Sequence, residues 1–170
     1  LLNKSKYGHS YHKGDLRLTL MWAAGGPDIY PNLGKFIISY ALYPHTGDWK
    51  NDVWQEGDDF NVPVEAFEPP SLALVKTHGT RPETESFISL EGNGVYMSGM
   101  KKAEDSDELV IRMVEVEGYG KHVTLHLPKI IQTVRKLNFI EYPVTNDSGS
   151  VIKDKSVTFQ MKPHEIVTLG

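Results

Sequence analysis

From residue 72 onward the sequence is cut into short apolar and β-branched runs, about 8 to 15 residues apart, with no helical stripe through any of them. The runs are "LALVK", "SFISL", "VYMSGM", "LVIRMVEV", "HVTLHL", "IIQTV", "NFIEYPV", "SVTFQM" and "EIVTL", and "EGNG", "EGYGK" and "TNDSGS" separate some of them as turns. That recurrence restricts the fold to an antiparallel β-sandwich. The first 62 residues carry two further strand patterns. In "LRLTLMW" Leu16, Leu18, Leu20 and Trp22 share one face, and in "KFIISYALY" Ile38, Tyr40 and Leu42 oppose Ile37, Ser39, Ala41 and Tyr43. Between them "AAGGPDIYPNLG" is too rich in breakers for a helix and reads as a long loop. After Trp49 the acidic "KNDVWQEGDD" is poorly patterned, and the prolines of "FNVPVEAFEPPS" mark an extended connector. The expected organisation is therefore all-β, with little helix, in two parts: residues 1–62 and residues 63–170.

Composition narrows the function classes. With 39% hydrophobic and 24% charged residues the chain is expected to fold. A formal charge of -4 and no dense Lys/Arg cluster exclude a nucleic-acid surface. No apolar run approaches the length of a membrane span. The absence of cysteine rules out disulfides and thiolate zinc sites, and it fits a reducing, cytoplasmic compartment.

Few residues carry chemistry. His122 and His126 lie in a strand pattern, where four residues separate their side chains by roughly 13 Å, too far to share an ion. They read as solvent-facing. His9 and His12, in "GHSYH", are the pair a cupin-like metal site would use if a loop gathered them, but no carboxylate or further ligand accompanies them. "KKAEDSDE" lacks the oxygen-ligand spacing of a calcium loop and reads as a solvated turn. His45 follows a strand pattern in "YALYPHTGDW", a place suited to a catalytic group, a sugar contact, a metal ligand or a turn residue. Trp22, Trp49, Trp54 and Tyr43 are the stacking platforms that a free-standing carbohydrate-binding module would present. No G-x-S-x-G elbow, phosphate loop or Cys/His pair occurs, so no catalytic residue is expected in this segment.

The order of motifs goes further. "LLNKSKYG", "LRLTLMWAAGGPD", "ISYALYPHTGDW", "MKKAEDSDELVIRMVE" with "GKHVTLHL", and "VTFQMKPHEIVTLG" together resemble the C-terminal part of family 38 glycoside hydrolases, the α-mannosidases, closest to their cytosolic and bacterial branch. The chain also opens without an initiator methionine, straight into apolar residues, which reads as an internal cut, and the resemblance implies that the segment is the end of a much longer polypeptide. The resemblance implies that residues 1–62 are the last strands of a large, galactose-mutarotase-like sandwich and that a small sandwich follows. It implies that a missing N-terminal catalytic domain holds a divalent metal, usually zinc, with an aspartate nucleophile and an acid/base carboxylate for retaining hydrolysis. The implied partners are that catalytic domain, a mannose-containing oligosaccharide and a further copy of the chain. Carried onto this sequence, the resemblance makes Tyr7, Tyr43, His45 and Arg112 candidates for the substrate cleft or the domain interface. Each has a structural alternative: packing on the Gly8 turn for Tyr7, a turn role for His45, and an ion pair with Glu115 or a neighbouring strand for Arg112. For Tyr43 the small neighbours Ser39 and Ala41 on its face favour an interface. Lys4, Trp22, Phe36, Ile37 and Ile38 depart from the family pattern, and contacts made through those positions are altered here.

Overall fold

The computed structural model describes residues 1–23, 25–27, 34–67, 80, 82–128, 130–144, 151–153 and 155–170, with the side chains of 151–153 excepted. The expected strand "LALVK", the turn "TNDSGS" and most of the "AAGGPDIYPNLG" loop lie outside the described residues. The chain forms two compact units, Leu1–Pro70 and Ser71–Gly170.

The second unit is the sandwich. Strands β5 (Ser89–Glu91), β8 (Lys121–His126), β10 (Val151–Lys153) and β11 (Ser156–Met161) form one sheet in the order β10-β11-β8-β5. Strands β6 (Val95–Lys102), β7 (Leu109–Glu115), β9 (Lys136–Leu137) and β12 (Ile166–Leu169) form the other in the order β6-β7-β12-β9. Every pairing is antiparallel. Alternation decides which side chains meet. Ile111 and Met113 of β7, with Val167 and Leu169 of β12, pack against Val123 and Leu125 of β8 and Val157 and Met161 of β11, and Met113, Val123, Leu125, Val157 and Met161 are fully buried. Apolar burial of this kind contributes about 1.5–3 kcal/mol per side chain.

The two ends of the sandwich differ. The chain crosses between sheets at one end through the turns β5–β6, β7–β8 and β11–β12, and Glu115 ties the last two together. Its carboxylate, 1% exposed, accepts backbone N–H groups of Glu117 (3.0 Å), Gly118 (2.9 Å) and Tyr119 (3.3 Å) from one turn and of His164 (2.8 Å) from the other. Gly118 has φ +79°, a left-handed conformation that favours glycine, and a Cβ there would also stand 2.7 Å from His164 Nε2, so a side chain would have to displace that ring. At the opposite end, "IIQTV" and "NFIEYPV" are not strands. Residues 130–134 lie across the mouth between the sheets, and 138–144 turn back through an isolated bridge between Leu137 and Pro143.

The first unit has short ladders and, among the described residues, no buried core. β1 (Leu2–Asn3) pairs with β4 (Tyr40–Ala41), and β2 (His9–His12) pairs with β3 (Asp15–Leu18) around Lys13 and Gly14, whose φ of 49° and 91° suit a tight hairpin turn. "LRLTLMW" is thus a strand only to Leu18 and "KFIISYALY" only at Tyr40–Ala41. The pattern is present, but among the described residues no neighbouring strand extends those ladders. Residues 53–61 correct the sequence reading of an unpatterned stretch: they form helix α1 (Val53–Asn61), seated on β1 by Asn61 Nδ2 donating to Asn3 O (3.2 Å) and by Lys4 above the Phe60 ring. None of the described residues of this unit is buried.

Glu115→Ala is expected to cost about 3 kcal/mol, because four N–H groups lose a charged acceptor at once. Burial pushes the Glu115 carboxyl up, but the four N–H donors outweigh it and hold the group below its ordinary value. Its stabilisation is complete above about pH 4.5 and is lost as pH falls through the lowered folded value. Thermal melts should show the wild-type melting temperature dropping below about pH 4.5, with Glu115→Gln lower at neutral pH and flatter in acid.

Candidate functional site

The candidate residues fall in two places. In the first unit, Tyr43 and His45 follow β4 two positions apart, and their rings stack with centroids 6.1 Å apart and planes 13° from parallel. The Tyr43 hydroxyl donates to Asp52 Oδ2 at 2.9 Å. Asp52 is the N-cap residue of α1 but makes no side-chain cap hydrogen bond to the helix; its carboxylate is turned to the tyrosine. That hydrogen bond first, then burial and the negative charges of Asp52 and Glu56, raise the Tyr43 hydroxyl above its ordinary value, so it stays a proton donor at neutral pH. Tyr43, Pro44, His45, Thr46, Asn51 and Asp52 line an open cleft. A flat stacked pair beside a hydroxyl, an amide and a carboxylate matches the needs of a polyhydroxylated ring, which offers one apolar face and several O–H groups.

Tyr7 stands 91% exposed, so it does not pack on the glycine turn. Gly8 is required there for another reason: a Cβ would lie 2.8 Å from Thr19 Cβ, and Thr19 N–H donates to Gly8 O at 2.7 Å. His9 and His12 lie three apart on β2 and point to opposite faces of the hairpin, and the Asn3 amide is 3.1 Å from His9 Nε2. Among the described residues no three His, Asp or Glu side chains gather where they could hold a metal ion.

Arg112 is in the second unit, on the outer face of β7. It cannot pair with Glu115, which points into the opposite face. Its guanidinium instead donates to Thr168 Oγ1 (3.2 Å) and to Phe139 O (3.1 Å), and lies 4.3 Å from the centre of the Phe139 ring. Arg112 therefore clamps the 138–144 turn onto the sheet. His122 is exposed on β8, and His126 Nε2 sits 2.8 Å from Glu91 Oε1. The acidic turn after β6 is neutralised locally, by Lys101 with Glu104 (2.7 Å), Lys102 with Asp107 (2.6 Å) and Arg135 with Glu108 (2.6 Å).

Two antiparallel sheets packed face to face and tied at one end by a buried carboxylate define a β-sandwich domain. Residues 94–169 match the model of the glycosyl hydrolases family 38 C-terminal beta sandwich domain. Over 99% of its length the chain is 30% identical to alpha-mannosidase 2C1 of Homo sapiens, 29% to alpha-mannosidase G of Dictyostelium discoideum and 25% to an alpha-mannosidase of Saccharomyces cerevisiae. It covers 16%, 15% and 17% of those proteins, respectively. Residues 94–169 thus form a family 38 C-terminal β-sandwich domain, and the relatives matched along the whole chain are α-mannosidases.

Arg112→Ala should loosen the 138–144 turn and cost about 1–2 kcal/mol. Arg112→Lys should recover little of it, because an ammonium cannot bond Thr168 and Phe139 O while stacking on the ring. Denaturant unfolding of the two variants checks this.

Proposed function

We propose that this chain is a non-catalytic part of an α-mannosidase that releases terminal α-linked mannose from oligosaccharides in the cytoplasm, and that it supports the catalytic domain and forms one wall of its cleft. In this reading residues 1–62 complete a large sandwich of the same polypeptide, residues 63–170 are the small terminal sandwich, and the divalent metal, zinc, belongs to the catalytic domain. The supporting observation is the contrast between the two units. The first unit exposes Ile37 (90%), Leu42 (72%) and Trp22 (77%), side chains that a self-contained domain would bury. The two-stranded ladders there are too small to be stable alone. The relatives' greater length is consistent with further strands that cover these faces. Within this reading the Tyr43–His45 cleft is the rim, and the stacked rings and Asp52 contact sugar.

Hydrogen exchange separates the units. In the isolated chain the amides of β1 to β4 should exchange near the unprotected rate while those of β7, β8 and β11 are protected, and in the full-length polypeptide both sets should be protected. Equal protection of both sets in the isolated chain would overturn the completion of a larger sandwich.

Activity gives a second test, on an aryl α-mannoside with zinc, manganese or cobalt. The full-length polypeptide should turn over and this segment alone should not; comparable turnover by the segment ends the reading. In the full-length enzyme His45→Ala should raise KM about 2–10-fold, the worth of one hydrogen bond, with kcat and melting temperature unchanged. A lower melting temperature with unchanged KM would assign His45 to the turn instead.

A further inference from the structure

The outer faces of the two sheets differ. On the β6-β7-β12-β9 sheet the chain covers its own face: Arg112 clamps the 138–144 turn down on it, and Val110 and Thr168 are 2% exposed. On the β10-β11-β8-β5 sheet the described outward side chains are exposed or half-buried. Register sets them in rows. Ser156, His126 and Ser89 stand side by side across β11, β8 and β5, and Thr158, Thr124 and Glu91 form the next row. Gln160 and His122 continue the field on β11 and β8.

A solvated face ordinarily carries both signs of charge, and 24% of this chain is charged. Here hydroxyls, an amide and imidazoles take that place, and of the described side chains in these rows Glu91 alone has a fixed charge. Its Oε1 already lies 2.8 Å from His126 Nε2, and the Thr124 and Thr158 hydroxyls meet at 3.3 Å. Short side chains held this way lose little entropy when a ligand orders them. Where the Ser89–His126 row ends, the face deepens into a cleft of about 520 Å³ whose lining includes Phe87, Ser89, His126 and Lys155, a size within the roughly 300–1,000 Å³ of small-molecule sites. Ile88 packs on the core, whereas Phe87 is left 62% exposed.

These features select a chemistry. The cleft sets one lysine, Lys155, against one glutamate, Glu85, so neither sign of charge is concentrated there and a phosphate or polyanion finds no cationic field. A protein interface buries several apolar side chains at its centre, and among the described side chains of this face and cleft Phe87 is the one large exposed apolar group. A neutral ligand with an apolar ring face and many O–H groups fits both halves, because Ser, Thr and Gln side chains donate and accept as sugar hydroxyls do. We propose that this face binds a neutral oligosaccharide, one ring stacked on Phe87 in the cleft and hydrogen-bonded by His126 and Ser89, with the following units along Thr124 and Thr158. Every residue involved lies in the second unit, so the site stands or falls apart from the function proposed for the first.

Nuclear magnetic resonance titration of the isotope-labelled chain with mannohexaose and, separately, with maltohexaose tests this. At least one of the two should bind saturably, with Kd on the order of 1 mM, and shift the amides of Ser89, Thr124, His126 and Thr158. Phe87→Ala should weaken binding about 2–10-fold and Phe87→Trp should restore it. Thr158→Val, which removes a hydroxyl and keeps a β-branched side chain, should weaken it about 2–5-fold. Both positions are exposed, so the variants should keep the wild-type melting temperature, and a loss of binding in them reports on the site. Because the ligand is neutral, Kd should be the same in about 0.05 M and about 0.5 M salt. No saturable shift with either sugar at about 20 mM, shifts confined to residues 1–62, binding unmoved by Phe87→Ala, or binding that falls as salt rises would each overturn the proposal.

Discussion

The carboxylate of Glu115 fixes how the two sheets of the sandwich meet. Two of the turns that carry the chain between sheets at this end bring N–H donors to it, three from the β7–β8 turn and one from β11–β12. Backbone follows the same route, with Glu115 N–H donating to Glu165 O at 3.0 Å and Glu165 held by Lys136 and by the Lys162 N–H. A buried charge is costly unless its bonding capacity is used, and here four donors use it. The register of β7 against β12 and the packing of Met113 and Val167 beneath depend on that closure.

The two units solve the same problem with different completeness. In the second, each described strand pairs with a neighbour, and the inward apolar side chains of β7, β8, β11 and β12 meet across the two sheets. In the first, the hairpin β2–β3 sorts its faces correctly, with Tyr11 and Leu16 on one and Arg17 and Asp15 on the other, but the apolar face is left exposed. Strand-forming sequence without a partner yields only fragments of a ladder, which is why "KFIISYALY" is a strand over two residues.

What could be read from the sequence follows from this. β7, β8, β11 and β12 were legible because their period-two alternation is enforced by a core on one side. "IIQTV" and "NFIEYPV" have the same composition but serve as a closing segment and a turn, and composition alone does not separate a ladder from a cap. Helix α1 was hidden by Gly57 and by Asp58 and Asp59 near its C-terminus, where helix propensity and the dipole both oppose it; contacts with Asn3 and Lys4 hold it in place. At the candidate site, "YALYPHTGDW" pointed to Tyr43 and His45, but Asp52 was out of view because its pairing depends on the helix. Glu115 was within reach: Leu109, Ile111 and Met113 put position 115 on the inward face, and an inward glutamate before Gly118 signals an N–H cage.

The irregularity in β6 has a consequence of a different kind. Its register shifts between Met97 and Gly99, where Ser98 Oγ donates to Arg112 O, and the strand ends on Lys101 and Lys102. In the language of chain growth this is a terminated end: a twisted, lysine-tipped edge adds no further strand. Among the described residues the two small ladders of the first unit carry no such stop. In the reading proposed above, sheet growth in a longer polypeptide would therefore have a direction, through residues 1–62, with arrest at the edge of the terminal sandwich.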